Sequence, residues 1–338
     1  MGRRHPTRRD LAGGALLAAL TGFSRPLGAA SSVPEAAIML VPGPEEGAAA
    51  QIAGRAAAAL ARGLVHAVAL RVTVLGGPDG VTAANRFASS TAPDGRVLLM
   101  LPGVGAHAQM VGDSRARFEP RQWPAICGSL QSCVLAGRGT LGAGGADAAP
   151  LRLALPSPAA PETAALLALD LLGCRVTPVF GLAGAAAEAA VRTGQADAMP
   201  LVGPALAGRA TALGLACWFS FDQAGHARDA ALPQVPALGE LLPDPHRADL
   251  LEAARAAGAA MRTRGLVVLP PLTSADVVAL WRAAAQRWAE EEPTPLEAGA
   301  RRIAAAEATV LSSTLCAPAD IAVAYREWLQ RRLNWRAT

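Results

Sequence analysis

The sequence predicts an α/β fold, with mostly parallel strands layered against helices and the chain divided into two lobes. Three observations predict it. Short apolar runs alternate with Ala-rich runs of helical period, which is the pattern of strand–helix–strand units. The alternation occurs in two blocks, separated by the Gly- and Ala-rich stretch from Arg138 to Pro150, which reads as a linker or surface loop. Beyond Pro233 the pattern returns to helices. Two α/β blocks followed by a helical return imply a cleft between lobes.

Taken in order, the first block reads as strand 38–41, helix 48–62, strand 67–75, helix 82–90 and strand 97–101. The second reads as strand 151–155, helix 162–172, strand 175–180, helix 185–193 and strand 198–202. Past Pro233, residues 265–269 are strand-like, and Thr273-Ser-Ala-Asp276 fits a capping box at a helix start. A last helix near 318–334 places Ile321, Tyr325, Trp328, Leu329 and Leu333 at helical spacing, a stripe expected to pack in a core.

The first thirty residues separate from the rest. Arg8-Arg9-Asp10 precedes a mostly apolar run to Phe23, and Leu27-Gly-Ala-Ala30 forms a small-residue exit. That is an export signal over 1–30, with cleavage expected near Ala30; the paired arginines point to the twin-arginine route. The run is shorter than the ~20 apolar residues of a spanning helix, so no membrane span is expected after cleavage. Removing the five arginines and one aspartate of this segment from the chain's 31 basic and 27 acidic residues leaves 26 of each. The mature chain is formally neutral and carries no basic stripe with interleaved aromatics, which argues against a nucleic-acid partner.

Catalytic chemistry is thin. Gly112-Asp113-Ser114 has the look of a short hydrolase motif but lacks a strand before it and a partner base after it. His5, His66, His226 and His246 are scattered, and no spacing of His, Cys and carboxylates suggests a metal. No phosphate-binding glycine motif opens a helix. No catalytic residue, metal or cofactor is therefore expected. Five cysteines, at Cys127, Cys133, Cys174, Cys217 and Cys316, have irregular spacing and read mostly as small buried hydrophobes.

In open α/β sheets ligands gather at the carboxyl ends of strands. Six segments qualify: 42–47, 76–82, 102–107, 156–163, 180–184 and 200–204. The first opens onto a helix N-terminus, a natural anion site, yet carries Glu45 and Glu46. A glutamate ~6 Å from a ligand carboxylate repels it by roughly 3 kcal/mol at an effective dielectric of about 20. A helix N-terminus returns at most ~2 kcal/mol. The loop suits an anion only if both glutamates face water; otherwise it suits a neutral, zwitterionic or cationic solute.

The order of motifs resembles the tripartite tricarboxylate receptor (Bug) family of periplasmic solute-binding proteins. Val41-Pro-Gly-Pro-Glu-Glu-Gly47 is similar to that family's V-P-x-P-x-G-G loop, and Leu75-Gly-Gly-Pro-Asp-Gly80 stands at its Gly-rich turn. Thr91-Ala-Pro-Asp-Gly-Arg-Val-Leu-Leu-Met100 matches A-x-P-D-G-x-x-L-L-M. Phe118-Glu-Pro-Arg-Gln-Trp-Pro-Ala-Ile126, Thr193-Gly-Gln-Ala-Asp197, Leu232-Pro-Gln-Val-Pro236 and Leu272-Thr-Ser-Ala-Asp-Val-Val278 follow in the family's order. The matches run from about Ile38 to Val278.

The resemblance implies a two-lobed, periplasmic-binding-protein-like (type II) fold. Lobe one is expected over 32–131 plus 230–338 and lobe two over 132–229. It implies an extracytoplasmic, non-enzymatic receptor for a small carboxylate-bearing solute that serves membrane transporter subunits or a sensor kinase. The residues expected to line the cleft are Pro42, Gly43 and Gly47, then Gly80 and Thr82, then Gly103, Gly105 and His107. Ser157, Thr163 and Gly184 would contribute from lobe two. Departures from the family include Glu45 and Glu46, Ala48–Ala50 where an Asp opens the helix, and Ser157-Pro-Ala-Ala-Pro-Glu-Thr163 in place of a Ser- and Gly-rich stretch. Two other readings stand: a degenerate receptor acting through protein contacts, and a secreted hydrolase using Ser114 or His107.

Overall fold

A computed structural model of the chain describes residues 36–64, 69–142, 149–221, 227–242, 246–291 and 298–337. The export segment, His5, His66, His226 and residues 143–148 of the 138–150 stretch lie outside the described residues. The first block forms β1 (Ala36–Val41), α1 (Ala48–Arg62), β2 (Ala69–Val74), α2 (Val81–Ser90), β3 (Val97–Leu101), α3 (Gly103–Val111) and β4 (Ala125–Gln131). The second forms β5 (Cys133–Gly137), β6 (Leu151–Ala154), α4 (Ala164–Leu171), β7 (Val176–Val179), α5 (Ala185–Arg192), β8 (Ala198–Val202), α6 (Leu206–Ala212) and β9 (Ala216–Ser220). The return contains α7 (Leu238–Leu241), α8 (Ala248–Arg262), β10 (Thr263–Val268), α9 (Ala275–Glu291), β11 (Ala300–Ile303), α10 (Ala305–Leu315) and α11 (Ala319–Leu333).

The strands make two sheets. One has the order β11-β4-β10-β3-β1-β2 and the other β7-β6-β8-β5-β9. β1 pairs in parallel with β2 and β3, and β6 with β7 and β8, as strand–helix–strand units require. The antiparallel members β10 and β11 come from the helical return. Each sheet is covered on both faces. α1 and α9 bury Met39, Val41, Leu60 and Trp281 on one face of the six-stranded sheet; α2 and α10 bury Phe87, Leu99 and Leu101 on the other. α5 and α6 cover one face of the five-stranded sheet around Val134, Val191 and Leu201.

The remaining core is unusual in its membership. Leu135, Leu153, Phe219 and the α4 leucines of the five-stranded layer pack with α8, α11 and Met110 of α3. The expected stripe on the last helix is part of it: Tyr325, Trp328 and Leu329 are buried, with Ile321 and Leu333 packed alongside. Polar contacts fix this helix to α4 and β7. Trp328 Nε1 and Arg332 Nε donate to Asp170 Oδ2 at 3.1 and 2.9 Å, and Arg332 Nη2 donates to the Val176 carbonyl at 2.6 Å.

Two local expectations differ. The third strand-end segment is helical from Gly103, against the low helix propensity of Gly103 and Gly105, because α3 is wedged onto α8. The Thr273 hydroxyl turns back to the Pro270 carbonyl at 2.8 Å, while Val278 N–H donates to the Ser274 carbonyl. All five cysteines are free thiols, with Cys127, Cys133 and Cys316 buried. Burial pushes the Cys127 and Cys316 thiols up to about 12. Cys127 and Cys133 fall in different sheets, on either side of Ser132.

Candidate functional site

The strand registers decide where a ligand can sit. β4 and β3 are both antiparallel to β10, so the end of β4 at Gln131 lies at the same sheet edge as the carboxyl ends of β1, β2 and β3. In the other sheet Cys133 pairs with Val202, and Val134 with Ser220. The start of β5 and the ends of β6 to β9 therefore share one edge. The chain crosses between sheets through Ser132, so the two loop-bearing edges meet there, with Phe221 at the end of β9 beside the crossing, its N–H donating to the Cys133 carbonyl.

On the six-stranded side the glycines allow loops to touch. Pro42 and Gly43 are buried, and a Cβ on Gly43 would stand 2.2 Å from the Gly76 carbonyl oxygen. Gly80 begins α2 with φ +73°, where L-residues are strained, and its missing Cβ leaves room for the Pro102 ring, 2.6 Å from where it would stand. Gly105 is buried against the Asp79 carbonyl. Thr82 is exposed beside Gly76. Gly47 is half-buried at the start of α1, where no side chain caps the helix and no acidic residue occupies the first turn. Glu45 and Glu46 are both exposed.

The start of α2 is already occupied. Asp79 Oδ1 accepts from Val81 N–H at 3.2 Å, and Arg115 Nη1 binds Asp79 Oδ2 at 2.9 Å. Arg115 also chelates Asp113 and holds its carboxyl below the usual range. A resident carboxylate at a helix N-terminus is electrostatically satisfied.

Gly103 packs so closely that a Cβ would stand 1.9 Å from the Ala260 carbonyl oxygen of α8. His107 points inward from α3 and is 1% exposed. Its Nε2 lies 3.3 Å from the Tyr325 hydroxyl, with the rings edge-to-face at 67°. Burial lowers its pKa to about 4, with the nearby Ala159 backbone pulling the other way, so the ring is neutral near pH 7. Nδ1 has no hydrogen-bond partner among the described residues.

From the five-stranded side, the Ser157 carbonyl accepts from Ala160 N–H and from the Thr163 hydroxyl at 3.1 Å. That hydroxyl, expected to face a ligand, is buried and also reaches the Pro158 carbonyl. Gly184 is exposed at the start of α5 with φ +48°. Pro42, Gly43, Gly80, Thr82 and Gly105 thus converge around Gly76, Asp79 and Pro102, while His107 joins the 157–163 loop. Gly47 and Gly184 stand apart at helix starts.

One central residue carried no sequence signal: Arg262, which reads only as a cation in the last turn of an Ala-rich helix. It is 4% exposed. Its Nε donates to the Gln131 carbonyl at 3.2 Å and its Nη1 to the Phe221 carbonyl at 3.3 Å, tying the Ser132 crossing to the end of β9. Buried Asp229 stands 3.9 Å away.

Among the described residues no group of three or more His, Cys, Asp or Glu could hold a metal, and no single helix is long and apolar enough to cross a membrane. No protein-family model matches the chain, and no curated protein does. Solved structures do. A TctC solute-binding protein from Polaromonas aligns over 89% of this chain and 100% of its own, with a TM-score of 0.66 at 16% identity. The periplasmic binding protein BugD aligns over 91% and 100%, with a TM-score of 0.52 at 16% identity. At these identities the likeness is one of fold. The chain has the two-lobed α/β fold of the TctC and BugD periplasmic solute-binding proteins.

Proposed function

We propose that this chain is an extracytoplasmic receptor that binds a small carboxylate-bearing solute between its lobes and makes or breaks no bond. The carrying observation is the meeting of two strand-end edges at the Ser132 crossing, because such a cleft closes on a solute by hinge motion. Lobe one would comprise 32–131 plus 230–338, and lobe two 132–229. The uncapped start of α1 at Gly47 supplies N–H donors, and the exposed Thr82 supplies a hydroxyl. Pro42, Gly43, Gly80, Gly103 and Gly105 shape the loops, and Gly184 offers the opposing helix start. Exposure of Glu45 and Glu46 to water, which screens their charge, supports an anionic solute.

The receptor would be exported by the twin-arginine route, act in the periplasm, and deliver its solute to a tripartite tricarboxylate-type transporter. A reporter fused to residues 1–30 should lose export on Arg8→Lys with Arg9→Lys; unchanged export would remove that route.

The test of binding is a thermal-shift panel of di- and tricarboxylates against amino acids, amides and amines. A solute at a hundred times its dissociation constant adds ~2.7 kcal/mol of stability. Thr82→Val should weaken binding roughly tenfold, the loss of about one hydrogen bond. Stabilisation only by amines or amides would overturn the carboxylate assignment. Silence across the panel from a folded protein would favour the second reading, a receptor that acts through protein contacts. The inward use of the Thr163 hydroxyl and the capture of Asp79 at α2 both favour that reading.

A further inference from the structure

Beside the Ser132 crossing, Gln131, Ser132, Asp229, Arg262, Ala300 and Arg301 line a cavity of about 140 Å³. It lies between the lobes. Gln131 ends β4, Ala300 and Arg301 open β11, and the adjoining Gly299 packs so tightly on Pro204 of the opposite sheet's β8 loop that a Cβ would stand 2.6 Å from the proline Cβ. The cavity is thus at the edge where the strand ends face each other, several strands away from the Pro42 and Gly80 loops.

Its chemistry is set by two guanidinium groups and one carboxylate. Arg262 donates to the Gln131 and Phe221 carbonyls. Both Nη groups of Arg301 bind the Glu307 carboxylate, and that pairing raises its pKa. Burial lowers the pKa of Arg262, and the charge of Arg301 acts in the same direction, while Asp229 and Glu307 oppose both. Asp229 Oδ1 accepts from Ala231 N–H at 3.0 Å, and its Oδ2 stands 3.9 Å from Arg262 Nη2, beyond hydrogen-bond reach. At about 30 Å³ for each water-sized group, the volume suits roughly four or five such groups. That is the size of a carboxylate with one or two carbons behind it.

We propose that this cavity is a carboxylate subsite of the interlobe cleft, with Arg262 and Arg301 as its recognising groups. It rests on the receptor reading and names residues that the strand-end loops do not include. A carboxylate placed there is held by charge-assisted hydrogen bonds from guanidinium groups and offsets the repulsion between them. Asp229 competes with it and sets an upper limit on affinity. Because Arg262 also ties the Ser132 crossing of one sheet to the end of β9 in the other, occupation of the cavity is coupled to the angle between lobes.

The experiment is calorimetric and thermal-shift titration of the full chain with acetate, propionate and succinate, each against its amide. The expected result is binding of carboxylates but not amides, at least tenfold weaker in Arg301→Gln, partly restored in Arg301→Lys, and tighter in Asp229→Asn. Arg301 is half-exposed, so its variants leave the buried Arg262 in place. Equal carboxylate affinity in wild type and Arg301→Gln would overturn the subsite while leaving the receptor reading intact. Amides binding as well as carboxylates would overturn it too. A folded protein that responds to no solute of any class would remove both.

Discussion

His107 makes acid stability a direct readout of the interlobe core. The unfolded chain takes up its proton near pH 6.5, whereas in the folded protein burial lowers this to about 4. Between those values the unfolded state binds more protons, so stability falls as pH falls. At ~1.36 kcal/mol per unit, His107 costs about 2 kcal/mol by pH 5 and roughly 3 kcal/mol by pH 4, where the folded-state ring is itself half protonated. His107→Phe keeps the edge-to-face ring contact with Tyr325 and removes the titration. The orphaned Tyr325 hydroxyl then costs about 1–3 kcal/mol, independent of pH across this window. Glu162 and Asp170 are raised by burial and act in the opposite sense. They are common to both proteins and cancel in the difference. Urea unfolding of wild type and variant at pH 7.5, 6.5, 5.5 and 5.0 should give curves that converge on acidification. Parallel curves would refute a buried, neutral His107.

Other consequences follow from single close contacts. Gly103→Ala drives a Cβ into the Ala260 carbonyl, backbone against backbone, and should cost ~3 kcal/mol or more in urea unfolding. In Gly54→Ala the new methyl meets nothing within 4 Å in the exposed middle of α1, so this change should add about 0.5–1 kcal/mol. Leu272 adopts φ +66° while 91% exposed, so Leu272→Gly relieves strain without loss of burial. It should raise the melting temperature by about 2 °C, and a lower value would mean that the side chain has a partner.

What the sequence by itself determined is the local chemistry. Runs such as Val97–Leu101 and Leu151–Ala154 are apolar over strand length, and the Ala-rich runs between them have helical period, so both α/β blocks were legible. So was the buried stripe on α11, because its spacing needs no partner to be seen. β11 was not legible: Ala-Arg-Arg-Ile lacks a strand signature and exists through its pairing with β4 and the stacking of Arg302 on Trp288 at 4.7 Å. Nor was α3, whose glycines are poor helix formers until α8 packs on them. The candidate site divides in the same way. Glycines and prolines at strand ends announce loops, since backbone freedom is a property of one residue. Whether His107 turns inward, whether Asp79 fills the start of α2, and whether Arg262 ties the Ser132 crossing to the end of β9 depend on partners up to 218 residues away. Only the tertiary structure decided these, because burial, charge pairing and hydrogen bonding are properties of pairs that chain topology brings together.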